Sequence, residues 1–210
     1  MAENPHVKSV SFIKSAVKPR DFPETEHLPE IAIAGRSNVG KSSLINGVVN
    51  RRRLARVSNT PGRTQLLNFF LVNDAFTLCD LPGYGFARVP EAVKMAWGPM
   101  VEGYLEQRES LRALLLLVDV RRDPGEMEVQ LTQAASLYGR AVVPVATKLD
   151  KLSASKRKPA LNRVARGLGL TPKQIIGWSA LTGEGLEPLW RAMMRHVTPP
   201  PSPSPPAEES

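Results

Sequence analysis

Ile31-Ala32-Ile33-Ala34-Gly35-Arg36-Ser37-Asn38-Val39-Gly40-Lys41-Ser42 is the stretch on which the architecture turns. Its apolar opening, Ile31–Ala34, reads as a short strand that runs directly into glycine. From Gly35 the chain matches G-x-x-x-x-G-K-[ST] at every fixed position, and Ser42–Asn50 then reads as a helix. Strand, glycine loop and helix in this order suit phosphate for physical reasons. Gly35 and Gly40 permit backbone conformations that a Cβ would hinder. The loop N–H groups, through Arg36, Ser37, Asn38 and Val39, turn inward around phosphate oxygens, and the helix adds its positive end. Lys41 supplies a cation to the β- and γ-phosphates, and Ser42 a hydroxyl to Mg²⁺. The loop alone does not separate GTP enzymes from ATP enzymes or small-molecule kinases.

On either side of it, short apolar runs alternate with longer polar-periodic ones. Leu66–Val72 and Phe76–Asp80 read as strands joined at the turn signal Asn73-Asp74. Ala113–Val120 and Val142–Thr147 are continuous apolar runs, as expected of strands buried on both faces. Ile175–Ser179 is a further strand, and Ser9–Val17 a candidate edge strand. Helical spacing marks Met95–Gln107, Val129–Tyr138, Ala160–Leu168 and Leu186–Val197. The alternation predicts an α/β fold in three layers, a mostly parallel central sheet with helices on both faces. Residues 1–28 are expected to form an N-terminal extension, 29–197 the nucleotide-binding domain, and the proline-rich 198–210 a disordered tail.

At the predicted strand ends lie further groups with nucleotide chemistry. Asp80-Leu81-Pro82-Gly83 closes one strand where a carboxylate faces the ligand crevice and can hold the magnesium shell through water, while Gly83 offers its N–H to the γ-phosphate. A plain Asp-x-Pro-Gly turn is the alternative; position after the phosphate loop favours the functional reading. Between them, Ser58–Gln65 is rich in turn formers and hydroxyls, and either Thr60 or Thr64 suits a switch that orders around Mg²⁺ and the γ-phosphate. Thr147-Lys148-Leu149-Asp150 fits [NT]-K-x-D. The Asp150 carboxylate has two acceptors for the two adjacent donors on one edge of guanine, a pair that adenine lacks. The Lys148 stem suits the ring face, and the backbone at Ser179-Ala180 the guanine carbonyl. Together these motifs predict a GTP-binding, GTP-hydrolysing protein.

Composition sets the surroundings. The 210 residues carry a net charge of +8, from 28 Lys and Arg against 20 Asp and Glu, a balance compatible with a polyanionic partner but not diagnostic of one. Single Cys79 excludes an internal disulfide framework, no apolar run is long enough to cross a bilayer, and no signal-peptide core follows the start. These features predict a cytoplasmic protein without membrane contact. Two basic clusters, Arg51–Arg53 with Arg56 and Lys156–Lys158, are candidate RNA contacts as well as ordinary solvated surface; the first is the better candidate because it lies near the mobile loops. His6, His27 and His196 lack metal-ligand spacing, while Cys79, Trp97, Trp190, Met193 and Met194 read as packing.

The stretches GRSNVGKSSLIN, NTPGRTQLLNFF, DLPGYGFA, ATKLDK and the Trp-Ser-Ala at 178–180 resemble the EngB family of bacterial translation-factor-like GTPases, over roughly residues 10–197. The resemblance implies that Thr64 is the switch threonine and a magnesium ligand alongside Ser42. It also implies that Gly62, Arg63, Thr64, Gln65 and Leu66 touch nucleotide, and that Trp178, Ser179 and Ala180 line the base side through backbone. Phenylalanine is also familiar at the Trp178 position. The family role it implies is maturation of the large ribosomal subunit, linked to division and septation, with ribosomal RNA as partner; a monomer is expected separately, though the sequence does not give the oligomeric state. Small signalling GTPases place a glutamine after Asp-x-x-Gly to orient water; here Tyr84 stands there, so slow intrinsic turnover is expected. Lys41, Thr64 and Gly83 are then the candidate catalytic groups, and either the ribosome or a potassium ion at Asn38 the source of added transition-state charge. A P-loop ATPase or kinase, and an RNA-binding scaffold with structural nucleotide, are the competing readings.

Overall fold

The computed structural model describes residues 6–50, 66–85 and 91–198. The predicted switch segment Gly62–Gln65, the cluster Arg51–Arg56 and nearly all of the proline-rich tail lie outside them. The strands are β1 (Val10–Ala16), β2 (Glu30–Gly35), β3 (Leu67–Val72), β4 (Phe76–Asp80), β5 (Leu111–Asp119), β6 (Ala141–Thr147) and β7 (Ile176–Gly177). The α-helices are α1 (Lys41–Val48), α2 (Glu91–Gln107), α3 (Glu126–Leu137), α4 (Ala154–Gly167) and α5 (Leu186–Val197). The strands form one seven-stranded sheet in the order β1-β3-β4-β2-β5-β6-β7. Pairing is parallel from β4 through β2, β5 and β6 to β7, and antiparallel where β3 joins β4 and β1 joins β3.

Alternation along the central strands builds two cores. Ile31 and Ile33 of β2 with Leu115 and Leu117 of β5 meet Leu44, Ile45 and Val48 of α1 and Leu189, Trp190 and Met193 of α5. Ala32, Ala34, Leu114, Leu116 and Val118 face the opposite way, toward Trp97, Val101, Tyr104 and Leu105 of α2, Leu131 of α3 and Val164 of α4. The helices thus cover both faces, which is why β2 and β5 read as unbroken apolar runs. Cys79 is buried in the second core.

The β3–β4 turn places Asn73 and Asp74 at φ of 54° and 53°, a left-handed geometry that these two residue types tolerate. The Asn73 side chain also binds the chain's start: Oδ1 accepts from the N–H of Lys8 at 2.7 Å and Nδ2 donates to the His6 carbonyl at 2.7 Å. That anchorage leads the N-terminal residues into β1, whose register slips once, between Phe12 and Lys14.

Several boundaries shift by one to four residues from the sequence reading, among them the starts of α2 at Glu91 and α3 at Glu126, and two elements differ further. Helix α4 begins six residues before Ala160 and contains Pro159, through a basic stretch without apolar periodicity. Strand β7 has only two residues instead of the span Ile175–Ser179. Pro144 supplies a physical reason. The Ala146 carbonyl points to the β7 side, accepting from Trp178 N–H, so the even-numbered positions of β6 address that side. Pro144 has no N–H to give there, and the ladder to β7 starts only at Val145.

Candidate nucleotide site

The site forms where the parallel strands end. β2 delivers Gly35, whose added Cβ would lie 2.8 Å from Val39 Cγ1 and 2.9 Å from Leu117 Cβ; close approach, not backbone conformation, demands glycine there. Gly40 caps α1 with φ 108°, a value that only glycine adopts freely. Between them the loop is tied to the Asp-x-x-Gly segment: Ser37 N–H and Oγ both donate to the Tyr84 carbonyl, at 2.8 and 2.9 Å. Lys41 and Ser42 open the first turn of α1.

β4 delivers Asp80, which is 4% exposed and pairs with the Lys41 ammonium. Burial pushes the Asp80 carboxyl above its ordinary range, and Lys41 opposes that push. Leu81 and Pro82 are buried. Trp97 Nε1 donates to the Pro82 carbonyl at 2.9 Å, so a residue read from sequence as packing also holds the segment that carries Gly83. Leu66, the first described residue after the predicted switch, is half-buried at the entry to β3.

Tyr84, which stands at the position of a water-orienting glutamine, turns its side chain into the core. It is 6% exposed, with its ring edge-on to Trp97 at 5.2 Å, and its hydroxyl has no hydrogen-bond partner among the described residues. Burial, with the Glu128 carboxylate nearby, raises its pKa far above the ordinary phenol value. Its main chain serves the phosphate loop; its side chain belongs to the core.

β6 delivers the residues of the [NT]-K-x-D motif. Thr147 Oγ1 donates to the Val39 carbonyl at 2.6 Å, binding this loop to the phosphate loop. Lys148, at φ 62°, sends its ammonium to the Asn38 carbonyl at 2.6 Å. Leu149 N–H donates to the Trp178 carbonyl at 3.1 Å, and the Trp178 ring packs into the α1 side of the core. Ser179 Oγ accepts from the N–H groups of Leu181 and Thr182, both at 3.2 Å, so its own proton is directed to Asp150 Oδ1 at 2.8 Å. That hydrogen bond, outweighing desolvation, holds the Asp150 carboxyl below its usual value. Ala180 follows, half-buried. The phosphate loop, Asp80, the Thr147–Asp150 loop and Ser179 thus come together at one end of the sheet.

One residue here was not singled out from the sequence. Asp119 ends β5, is 8% exposed and hydrogen-bonds both Lys148 and Arg121. The strand-end rule that picked Asp80 would have picked Asp119 as well. A cleft of about 460 Å³ runs along Arg36–Val39 to Asp119, Arg121 and Lys148.

Among the described residues no helix is long and apolar enough to cross a membrane. A family model described as a 50S ribosome-binding GTPase matches residues 30–148. A probable GTP-binding protein EngB of Syntrophotalea carbinolica is 52% identical over 181 residues, covering 86% of this chain and 87% of that protein. Another, of Geotalea daltonii, is 51% identical over 185 residues, covering 88% and 89%. Among solved structures, a probable GTP-binding protein EngB aligns with TM-score 0.68 at 23% identity, covering 80% of this chain and 98% of that one. Era of Aquifex aeolicus, bound to GDP and AlF4⁻, aligns with TM-score 0.61 at 22% identity, covering 86% and 60%. At those identities the structural likenesses speak for the fold alone. Relatives at half identity over nearly their whole length, and a family model over more than half of this chain, carry the assignment further: the chain belongs to the EngB family of P-loop GTPases.

Proposed function

We propose that this protein binds GTP with Mg²⁺, hydrolyses it to GDP and phosphate, and serves as a nucleotide-dependent switch in assembly of the large ribosomal subunit. The cytoplasm is its proposed place, a monomer its proposed state and precursor ribosomal RNA its proposed partner, with normal division and septation depending on the outcome. The observation that carries the nucleotide reading is the bond from Lys148 Nζ to the Asn38 carbonyl at 2.6 Å. It joins a loop suited to phosphates to a loop suited to guanine, making one site with the two ends of a nucleotide. The family description as a 50S ribosome-binding GTPase and the net charge of +8 support the ribosomal reading.

The donor set fits magnesium. Ser42 offers a hydroxyl oxygen at the start of α1, and Asp80 a buried carboxylate whose described partner is Lys41. Such hard oxygen groups suit Mg²⁺. Ser42 and Thr64 would hold the ion directly, with Asp80 acting through water. When bound, the ion neutralises charge on the β- and γ-phosphate oxygens. The chain's own groups do the rest. Loop N–H groups hold the phosphates, Lys41 turns its ammonium to the γ-phosphate, and Gly83 N–H fixes the γ-phosphate in line with water. Water attacks the γ-phosphorus, the bond to the β-phosphate oxygen breaks, GDP leaves with that electron pair, and the new phosphate takes the water's proton. No described side chain replaces the water-orienting glutamine, since Tyr84 is turned into the core. Intrinsic turnover of about 10⁻⁴–10⁻² s⁻¹ follows by analogy with unassisted GTPases. The exposed Asn38 amide oxygen is the proposed ligand for a stimulating potassium ion, whose signature is faster hydrolysis in K⁺ than in Na⁺.

The test is equilibrium binding of fluorescent GDP with Mg²⁺, displaced by GTP and by ATP, on the wild type and on Asp150→Asn. GTP displaces and ATP does not in the wild type. In the variant GDP affinity falls about tenfold or more, as expected for loss of a charge-assisted contact, and guanine preference is lost. Equal displacement by ATP in the wild type overturns the guanine reading.

A further inference from the structure

The buried Asp119 carboxylate does not belong to any of the motifs that define the site, yet it is shared by two cations. Lys148 Nζ donates to Oδ2 at 3.0 Å. Arg121 approaches as a fork, Nε to Oδ1 at 2.9 Å and Nη2 to Oδ2 at 2.7 Å, and its backbone N–H adds a bond to Oδ1 at 3.1 Å. Burial would raise this carboxyl's pKa, but the bonds from Arg121 and Lys148 outweigh it and keep the group ionised far below the usual range. Lys148 is thus fastened at two points, the Asn38 carbonyl on the phosphate loop and Asp119 on β5. Its flexible four-carbon stem is stretched between the base loop and the phosphate loop before any ring lies on it.

We propose that Asp119 is a positioning residue for guanine binding: it holds Lys148 extended as a preformed platform for the ring face, and Arg121 fixes the plane of the carboxylate that does so. This rests on the reading of Thr147–Asp150 as the base site. The physical basis is preorganisation. A lysine stem free to rotate must be ordered when the nucleotide arrives, and that cost weakens binding. Because Asp119 acts on the ring face through Lys148, it governs affinity without choosing the base. The choice belongs to Asp150, whose carboxylate addresses the ring edge.

The experiment is displacement of fluorescent GDP, with Mg²⁺, by GDP and by inosine diphosphate. It is run on the wild type, Asp119→Asn, Lys148→Met, the double variant and Asp150→Asn, each checked for its unfolding midpoint. Asp119→Asn raises the GDP Kd about tenfold, the loss expected for a hydrogen bond between charged groups. The GDP-to-IDP ratio stays as in the wild type. In the Lys148→Met background the same substitution changes Kd less than twofold. Equal weakening in both backgrounds, or none in the wild type, overturns the proposal. Asp150→Asn reports on the underlying reading alone: an unchanged GDP-to-IDP ratio in that variant would refute the base site itself. Should Asp119→Asn fail to fold, Arg121→Ala on the exposed loop carries the test. It weakens GDP binding less, and only while Lys148 is present; no weakening overturns the proposal.

Discussion

The two ends of the sheet each bury a carboxylate beside a cation, and they treat it in opposite ways. At the N-terminal end Glu30, the first residue of β2, is fully buried and accepts from Tyr104 Oη at 2.6 Å, Thr77 Oγ1 at 2.8 Å, and Arg108 Nη2 at 3.0 Å. Arg108, 2% exposed, spends its remaining donors on the Pro23 carbonyl at 3.1 Å, Glu26 at 2.8 Å and Thr25 Oγ1 at 2.7 Å, and lies against the rings of Phe22 and Phe69. At the C-terminal end Asp80 has only Lys41 among the described residues, and its pKa is raised. A carboxylate with every lone pair engaged by the protein is a fastening. A carboxylate with few donors, at strand ends beside a helix N-terminus, keeps acceptor capacity for something else. The ion pairs look alike as pairs; the donors around them separate structure from chemistry.

This contrast is open to experiment. The largest expected effect is at the closed end: Arg108→Ala leaves Glu30 buried without its cation and lowers unfolding free energy by about 3–5 kcal/mol. Urea unfolding measures it, and GDP affinity of the folded fraction stays within twofold of wild type. A parallel fall in affinity would break the division between the ends. Next comes the open end, where Lys41→Met lowers single-turnover phosphate release about 10²–10³-fold, the scale for losing one preorganised electrostatic donor. A variant that hydrolyses GTP normally would show that Lys41 only neutralises Asp80. The smallest effect sharpens the boundary between site and core. Tyr84→Phe removes a buried hydroxyl beside the Glu128 carboxylate, so thermal unfolding shows stability within about 1 kcal/mol of the wild type. Turnover stays within twofold, since the loop is held by the Tyr84 carbonyl. A large loss of turnover would place the phenol back in the reaction.

What the sequence disclosed and what it withheld divide along the same line. Gly35–Ser42 and Thr147–Asp150 were legible because their chemistry is local: glycines, a lysine and a carboxylate at fixed spacing next to an apolar run. Helix α5 was legible to the residue, Leu186–Val197, because its apolar stripe is regular. Asp119 was findable as a strand-end carboxylate, but its role was not, because that depends on Lys148, a partner 29 positions away. The Glu30–Arg108 network, closed over 78 positions, was hidden for the same reason. The direction of the Tyr84 ring was not legible, because its position relative to Asp80 says where the backbone goes but not which way the side chain turns. The start of α4 was missed because Ala154–Pro159 is almost wholly exposed and carries no periodic apolar signal of its own; the buried residues of the helix begin at Ala160.

Pro144 shortens β7, and it also affects how this molecule meets its own kind. Before Val145 the outer edge of β6 is uncovered by β7. A foreign strand pairing there would need donors at alternate positions, and one of them is missing. The opposite border of the sheet, β1, is interrupted by its own slip in register beside Lys14. Neither margin therefore offers a long, regular template, so a chain with a continuous apolar centre is guarded against edge-to-edge aggregation as it accumulates.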